Sequence, residues 1–317
     1  MNTKMFNEKM NRRQLLGNMG KAGAGVALAG TGLGKLAAAQ TKSYDAAILT
    51  FALNLEYLEA AFYLAAVGRI GELTSIGGDA EIRLPDGFDG TTSITFDSDA
   101  VAQYADEIAT DELNHVKFLR TALGDILKAP VADRPVIDLA GAFDAAATAA
   151  FASPTPLVFN PFANELLFLH GAFIFEDVGV TAYSGAAPVV TDKETVLANA
   201  AGILAVEAYH SGEIRTLLYA QREVVTPFGV PVSAVVEGIS ALRGAVGGGK
   251  DQGIVLDGRA NIIPTDGDGI AFARTPREVA NIVFLDTTKT ALQGGFFPNG
   301  LSVPSELAAD FTFLLSL

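Results

Sequence analysis

Four long stretches of the chain have the pattern of apolar and polar residues that predicts an α-helix. The first is almost continuously apolar and contains no glycine or proline, which is typical of a helix buried on most sides. Glycine or proline ends each of the first three stretches. The fourth opens on Thr191 and Glu194, which we expect to form a capping box. The predicted helices cover residues 44–67, 99–128, 161–183 and 191–222.

The connections between these helices predict how they are arranged. Two antiparallel helix pairs joined by one long crossover, residues 129–159, give an all-α four-helix bundle. The crossover contains a predicted short helix at residues 138–150. Between the first two long helices, residues 72–97 have two short apolar runs on either side of a Pro-Asp-Gly turn. We expect a small β-hairpin to be inserted there.

Residues 223–317 have shorter apolar runs and predict a mixed helical and loop extension. One helix is expected at residues 232–246. Another is expected at residues 276–286, because a threonine N-cap, a proline at the first helical position and Glu278 combine there. A glycine-rich loop at residues 294–298 carries two phenylalanines, which we expect to be exposed. The short runs indicate that this extension packs on the bundle and is not a separate domain.

Composition narrows the chemistry that the bundle can carry. Half of the 317 residues are apolar, which supplies a sizeable core, and a net charge of −14 argues against nucleic acid as a partner. There are no cysteines, so disulfides, thiolate metal sites and cysteine nucleophiles are excluded. The three histidines are His115, His170 and His210, and any imidazole chemistry must use them.

The N-terminal segment has the features of an export signal. Arg12 and Arg13 precede an apolar, glycine- and alanine-rich stretch that ends in small residues before Gln40, an arrangement that resembles a twin-arginine signal. Cleavage is expected to remove residues 1–39. A membrane anchor is the alternative, but the many glycines and two lysines disfavour a stable span. We expect a periplasmic or cell-envelope protein without a membrane span in its mature chain.

The mature chain would be strongly anionic. Six of the 22 basic residues and one of the 36 acidic residues lie within residues 1–39, so the remainder carries a net charge of −19. Such a charge is typical of a soluble protein.

Two of the three histidines follow a glutamate by three residues. The pairs are Glu112 with His115 and Glu207 with His210, and they fall on the second and fourth predicted helices. Residues three apart in a helix project on neighbouring faces, so each pair can bind one ion.

The first and third predicted helices each supply a further carboxylate in apolar surroundings, Glu56 and Glu176. An ionised carboxylate inside such a helix costs several kcal/mol unless a partner compensates, and a metal ion is a suitable partner. Tyr63 follows Glu56 by seven residues, and Tyr183 follows Glu176 by seven, which indicates an internal duplication of a helix pair. Both tyrosines are candidate catalytic residues that carry an electron, with core aromatics as the alternative.

Together these residues make the ligand set of di-iron and di-manganese carboxylate bundles, with one glutamate from each of two helices and a Glu-x-x-His motif from each of the others. Oxygen-rich ligands with one imidazole per ion suit two Fe or Mn ions. We expect Glu56 and His115 on one ion, Glu176 and His210 on the other, and Glu112 and Glu207 bridging. The alternative is that these acids are ordinary surface charges of amphipathic helices. Helices one and three have little polar surface for such charges.

Four neighbouring residues are candidates for supporting roles. Glu59 lies one turn after Glu56 and is expected to be solvated, with a supporting carboxylate as the alternative. Asp111 and Asp177 stand beside predicted ligands and are candidates to orient a histidine, since a ligating imidazole usually donates to a second acceptor. His170 has no carboxylate partner beyond Glu165 at helical spacing, so we expect a structural role.

Three segments resemble the ferritin-like superfamily and, within it, the desiccation-related protein family. They are Leu53–Ala60, Asn164–Tyr183, and Arg274–Pro276 with Gly294–Pro298. The resemblance covers residues 44–300 and implies a ferritin-like fold and a stress-linked role in the cell envelope. It supplies no settled activity. All six positions of the di-metal pattern are intact here.

Two hypotheses about function remain. The first is a di-iron or di-manganese oxidoreductase, of the peroxidase, catalase or ferroxidase kind, that reduces O2 or peroxide under oxidative or desiccation stress. The second is a non-catalytic protein in which the metal pair stabilises the bundle and the chain binds an envelope partner or a second copy of itself. The intact ligand set and the two tyrosines favour the first. The expected organisation is a signal at 1–39, a ferritin-like bundle at 40–222 and an extension at 223–317.

Overall fold

Four long helices form the bundle that the apolar pattern predicts, and shorter elements lie between and after them. The computed structural model describes residues 43–317, so the expected export signal at residues 1–39 lies outside the described residues. In chain order the elements are α1 (Asp45–Ala66), α2 (Ile70–Gly77), β1 (Ile82–Arg83), α3 (Asp99–Thr121) with a π-helical continuation (Ala122–Ile126), β2 (Ile137–Asp138), α4 (Gly141–Ala150), α5 (Glu165–Ala186), α6 (Val196–Ala220), α7 (Val232–Val246), β3 (Val255–Leu256), β4 (Arg259–Ala260), α8 (Pro276–Val283), a 3-10 turn (Ser305–Leu307) and α9 (Ala308–Leu314).

The bundle consists of two helix pairs, α1 with α3 and α5 with α6, and α1 and α5 also contact each other. Nearly every residue of α1 is buried, as are most residues of α5. Both helices are long and apolar enough to cross a membrane, but their side chains lie inside the protein, as those of core helices do. Their carboxylates are therefore held in the centre of the bundle.

The fourth long helix begins later than predicted. Thr191 does not cap it, because its N–H and hydroxyl both donate to the Asp45 carboxylate at 2.8 Å. Asp192 takes part of that role, accepting from the backbone N–H of Glu194 at 3.1 Å and of Thr195 at 2.8 Å. Helix α6 then starts at Val196. A local capping pattern does not reveal a competing carboxylate from a distant helix.

The prediction of a β-hairpin at residues 72–97 is wrong. Helix α2 occupies its first part, because the residues there that face the core recur at helical spacing. Strand β1 pairs in parallel with β2 of the crossover. After the turn the chain runs along the end of α1, where the Ile94 N–H donates to the Ala66 carbonyl at 2.8 Å. The sequence showed a turn between two apolar runs but not which partner each run would find.

An antiparallel hairpin does occur in the extension, where β3 pairs with β4. Asp257 and Gly258 connect the strands with φ values of 51° and 73°. Such positive φ values at both central residues are typical of the tight turn that an Asp-Gly pair favours. The Asp-Gly dipeptide is therefore a signal for this hairpin in the sequence.

The C-terminal extension contacts the bundle through Phe296 and through its helices. Phe296 and Phe297 are fully buried, so the prediction that they are exposed is wrong. The Phe296 ring contacts Phe143 and Phe175, with ring centroids 5.1 and 5.0 Å apart. Helices α7 and α8 both contact α5. The extension therefore covers the side of the bundle to which α5 belongs.

A buried charge cluster fastens the extension to the bundle. Asp177 of α5 accepts from Arg215 of α6 at 2.8 Å and from Arg243 of α7 at 2.7 Å. Asp251 accepts from Arg243 at 2.8 Å and from Arg274 at 2.7 Å. The three guanidinium groups also donate to backbone carbonyls of the extension and of α5. These directed bonds fix the extension relative to α5.

Candidate metal centre

The six predicted ligands lie together in the core of the bundle, and all are buried. Glu56 projects from α1 and Glu176 from α5, while α3 and α6 each supply a Glu-x-x-His pair. Their donor atoms form two groups that share one residue, and within each group all of these atoms lie within 4.8 Å of one another. The first group is Glu56, Glu112, His115 and Glu207, and the second is Glu112, Glu176 and His210.

Glu112 connects the two groups. Its Oε2 lies 3.3 Å from Nδ1 of His115, and its Oε1 lies 3.1 Å from Nδ1 of His210. One oxygen therefore faces each imidazole, which is the orientation of a bridging carboxylate. Glu207 belongs only to the first group, where its Oε1 lies 3.6 Å from Nδ1 of His115. The outer carboxylates Glu56 and Glu176 lie 3.1 and 3.5 Å from the nearer imidazole nitrogen.

The site contains unpaired polar atoms of the kinds that bind metal ions. Several buried donor atoms have no hydrogen-bond partner among the described residues: Glu112 Oε1, Glu176 Oε2, both Glu207 oxygens and His210 Nδ1. The 3.1 Å approach of His210 Nδ1 to Glu112 Oε1 lacks hydrogen-bond geometry, so these two atoms face a common point more than each other. Each orphaned buried group costs about 1–3 kcal/mol. Cations bound between them would satisfy the whole set.

The electrostatics of the site also favour positive charge. Burial lowers the pKa of His115, but Glu56 and Glu112 favour its charged form more strongly and raise the pKa to about 12. The pKa of His210 is raised too, by Glu176 and its other carboxylate neighbours against the effect of burial. For Glu56, burial raises the pKa to about 7 even though His115 opposes it. A pocket that draws protons onto both imidazoles is one that attracts cations.

The two predicted tyrosines contact the ligands, each across the bundle. The Tyr63 hydroxyl donates to Oε1 of Glu176, and the Tyr183 hydroxyl donates to Oε1 of Glu56. Each tyrosine thus bonds the glutamate of the other helix and not the one seven residues before it. Burial, followed by the charge of the bonded glutamate, raises the pKa of both phenols well above 10. Both hydroxyls therefore keep their protons.

The internal duplication extends beyond these residues. An arginine follows each site histidine by five positions, Arg120 after His115 and Arg215 after His210. Arg120 donates to the Tyr57 hydroxyl at 2.5 Å, and Arg215 donates to Asp177 at 2.8 Å. Tyr57 and Asp177 each directly follow the outer ligand glutamate of their helix pair. Equivalent positions therefore tie each helix pair together, and the shared spacing is a signal for this regularity in the sequence.

Asp111 and Asp177 have different roles. Oδ2 of Asp111 lies 3.3 Å from Nε2 of His210, on the opposite side of the ring from the metal-facing Nδ1. It is placed to hold that imidazole in orientation. Asp177 contacts no histidine but accepts from Ser211 at 2.7 Å as well as from the buried arginines. It ties the ligand-bearing turns of α5 and α6 together.

Two further expectations concern His170 and Glu59. His170 is buried away from the site, and its Nδ1 contacts the Leu166 carbonyl at 2.7 Å, as expected of a structural histidine. Burial lowers its pKa to about 4, so it is neutral. The expectation that Glu59 is solvated is wrong, because its exposure is 5%. The apolar sequence around Glu59 was a signal for that burial.

Comparison with known proteins agrees with this architecture. A family model described as a ferritin-like domain matches residues 44–220, which include all six predicted ligands. The chain belongs to the ferritin-like family. The match ends where α6 ends, so the extension lies outside it.

Two curated relatives place this ferritin-like chain more narrowly. It is 32% identical to the desiccation-related protein PCC13-62 of Craterostigma plantagineum over 249 residues, which cover 73% of this chain and 75% of the relative. It is 28% identical to the ferritin-like catalase Nec2 of Nesocodon mauritianus over 273 residues, or 81% of this chain and 83% of the relative. The desiccation-related family is therefore its closer assignment within the ferritin-like proteins. No solved structure matched the chain.

Proposed function

We propose that this ferritin-like protein binds two Fe or Mn ions and uses them to remove peroxide or O2 under oxidative or desiccation stress. The observation that carries the proposal is the pair of buried donor groups joined by Glu112. One ion is assigned to Glu56, Glu112, His115 and Glu207, and the other to Glu112, Glu176 and His210. When bound, such ions supply redox chemistry and polarise small oxygen species.

The donor set supports Fe or Mn over other metals. Every donor is a carboxylate oxygen or an imidazole nitrogen, and the chain has no cysteine to favour thiolate-preferring metals. Two ions are favoured over one because the shared Glu112 directs a separate oxygen toward each histidine.

Peroxide is the favoured substrate. One relative is named as a ferritin-like catalase, and its similarity extends over 81% of this chain and 83% of the relative. Apolar side chains from α1 and α5 surround the carboxylates and exclude bulk water. Tyr63 and Tyr183 hold protons at Oη against the outer ligand carboxylates, one hydrogen bond from the metal positions. They are the candidates for supplying a proton or an electron.

An activity test separates this proposal from a purely structural metal site. The metal-loaded protein should consume hydrogen peroxide in stopped-flow traces well above the metal-free protein, with Fe(II) oxidation by O2 as the second assay. His115→Ala and His210→Ala should each abolish most of that activity. His170→Ala serves as the control, since that ring lies outside the donor groups. A loaded wild type silent to both oxidants, yet more stable than its metal-free form, would favour the structural role.

We also propose that the chain works in the periplasm or cell envelope. The support is the twin-arginine-type segment with cleavage expected near Gln40. Replacing Arg12 and Arg13 with lysines should retain the precursor in the cytoplasm, as followed by cell fractionation and intact mass. Envelope material that still carries Met1 would point instead to an uncleaved anchor.

A further inference from the structure

The internal duplication is broken at a position beside the candidate metal centre. Three residues after the outer ligand, α1 carries Glu59 whereas α5 carries Gly179. The outer ligands, the tyrosines and the arginine ties are all retained in both halves. Glu59 is therefore a fifth carboxylate that only one half supplies.

Gly179 makes the space in which this fifth carboxylate lies. A Cβ at residue 179 would overlap Oε2 of Glu207, lie 2.9 Å from its Cδ and lie 3.4 Å from Oε1 of Glu59. Gly179 lies within helix α5 and has no positive φ angle, so backbone conformation does not require a glycine there. The absence of a side chain lets the Glu59 and Glu207 carboxylates approach the same point on α5.

The contacts of Glu59 do not explain why a carboxylate occupies this position. It is buried, and among residues 43–317 it has no hydrogen-bond or ion-pair partner. It borders a small cavity whose walls are otherwise apolar, formed by side chains of α1, α5 and α8 together with Phe296. Burial, then the charges of Glu112 and Glu56, raises the pKa of Glu59 well above its usual range. In its ionised form such a group destabilises the fold unless a cation compensates.

Charge balance indicates which cation would compensate Glu59. Four ligand carboxylates with neutral imidazoles balance two divalent ions, so a fifth carboxylate balances one additional positive charge. Glu59 is not within 4.8 Å of every member of either donor group, but it lies beside the first group, because its Oε1 and Oε2 of Glu207 both lie within 3.4 Å of the point that a Cβ of residue 179 would occupy. Both oxygens of its neighbour Glu207 lack partners, which leaves that side of the first group open to a cation.

Building on the proposed function, we propose that Glu59 is a fifth carboxylate ligand of the metal centre, which joins the group around His115 and stabilises the more highly charged ion there. Gly179 is the complementary position that leaves room for it. The two metal positions are therefore unequal, because only the first gains a ligand in this way.

Glu59→Gln tests the proposal, because it keeps the shape of the side chain and removes its charge. Relative to wild type, affinity for Mn(II) should fall about tenfold, and affinity for the redox-inert trivalent ion Ga(III) should fall further. Chelator competition measures both. The metal-free variant should unfold at the same or a higher urea concentration than metal-free wild type. The electron paramagnetic resonance spectrum of the Mn(II)-loaded variant should also change.

Glu165→Gln is the matched control. Glu165 is also a buried glutamate, but it accepts a hydrogen bond from the Ser98 N–H at 2.8 Å at the start of α3. Its replacement should lower the urea midpoint and leave Mn(II) and Ga(III) affinities unchanged. Gly179→Ala should weaken the binding of Mn(II) and of Ga(III), because the added methyl group displaces Glu207.

The outcomes separate this inference from the proposed function. If wild type binds neither ion, the proposed metal function fails. If wild type binds two ions and Glu59→Gln binds both with unchanged affinities and spectrum, the function stands and the role of Glu59 is wrong. A variant whose metal-free form is destabilised while its metal affinity is retained would likewise overturn this role, because Glu59 would then be structural.

Discussion

At the scale of single residues, the centre combines unpaired donor atoms with a few precisely bonded ones. Glu112 Oε1, Glu176 Oε2 and both oxygens of Glu207 lack partners, whereas Oε2 of Glu112 contacts His115 and Oε1 of Glu176 accepts from a tyrosine. The bonded atoms fix the side chains of Glu112 and Glu176, and the unbonded atoms remain available to an ion. The tyrosines therefore contact the outer glutamates to fix their position: each hydroxyl bonds one carboxylate oxygen and leaves the other to bind an ion.

The tyrosine bonds should contribute measurably to stability. Tyr63→Phe and Tyr183→Phe each leave a buried carboxylate oxygen without its donor, and a hydrogen bond to a charged group contributes about 1.5–3 kcal/mol. We expect each variant to lose about that much free energy of unfolding in urea, measured on metal-free protein. Tyr209→Phe is the control, because Tyr209 is 80% exposed and should show no loss. Equal stability of all three variants would show that the bonds contribute nothing.

Asp111 should affect metal binding through His210. Asp111→Ala removes the acceptor 3.3 Å from Nε2, and losing such a supporting partner typically costs 10–100-fold in metal affinity. Asp111→Asn keeps an acceptor oxygen and should lose less. Glu107→Ala removes an exposed acid from the same helix and should bind like wild type. Competition with a chelator gives the affinities, and an Asp111→Ala variant with wild-type affinity would exclude this positioning role.

At the scale of elements, the ends of the helices depend on which side chains are free to cap them. Asn164 caps α5 by accepting from the Leu167 N–H at 2.9 Å, and Thr275 caps α8 in a complete capping box. Thr195 precedes α6 but makes no side-chain capping bond. Two threonines at equivalent positions thus have different roles.

These two threonines provide a matched test of capping. Thr275→Ala removes the hydrogen bond that the Glu278 N–H donates to the threonine hydroxyl, and the loss of an N-cap costs about 1 kcal/mol. Thr195→Ala should change the free energy of unfolding by less than about 0.5 kcal/mol, as expected of a substitution without a specific contact. Urea denaturation at neutral pH measures both. Similar losses in the two variants would contradict the assignment.

At the scale of the whole molecule, the buried charge cluster links the extension to the helix turns that carry the candidate metal centre. Asp177 directly follows the predicted ligand Glu176, and its partner Ser211 directly follows the predicted ligand His210. The arginines that surround Asp177 come from α6 and from the extension. Because the cluster is buried, removing one partner leaves an uncompensated charge and should loosen both the extension and the second donor group.

The duplicated arginines allow that coupling to be measured. Arg215→Met breaks a buried ion pair, for which the expected loss is about 3–5 kcal/mol. Arg120→Met removes the equivalent tie. The Arg120 side chain is 28% exposed, bonds the neutral Tyr57 hydroxyl and pairs at 3.7 Å only with the exposed Asp133, so a loss of about 1 kcal/mol is expected. Thermal and urea unfolding give both values. Equal losses would show that the cluster does not hold the extension more firmly than a surface bond would.

Much of this protein follows from patterns local to the chain. The apolar stretches located the four long helices, because a buried helix needs an apolar surface wherever it lies. Their spacing located Glu56, Glu112, His115, Glu176, Glu207 and His210, because a carboxylate in an apolar helix requires a compensating partner. The capping box at Thr275 was also visible, since all its members lie within one turn.

Contacts between distant segments were decided only by the tertiary structure. Strand β1 pairs with β2 and not with a neighbouring strand of a hairpin. Thr191 donates to Asp45 instead of capping a helix. Each tyrosine donates to the glutamate of the opposite helix. The burial of Glu59 against Gly179 is of the same kind. Residue spacing fixes which side chains share a helix face, but the partner across that face depends on how the helices pack. The sequence therefore determined which carboxylates and imidazoles meet in the core, and the packing decided what surrounds them.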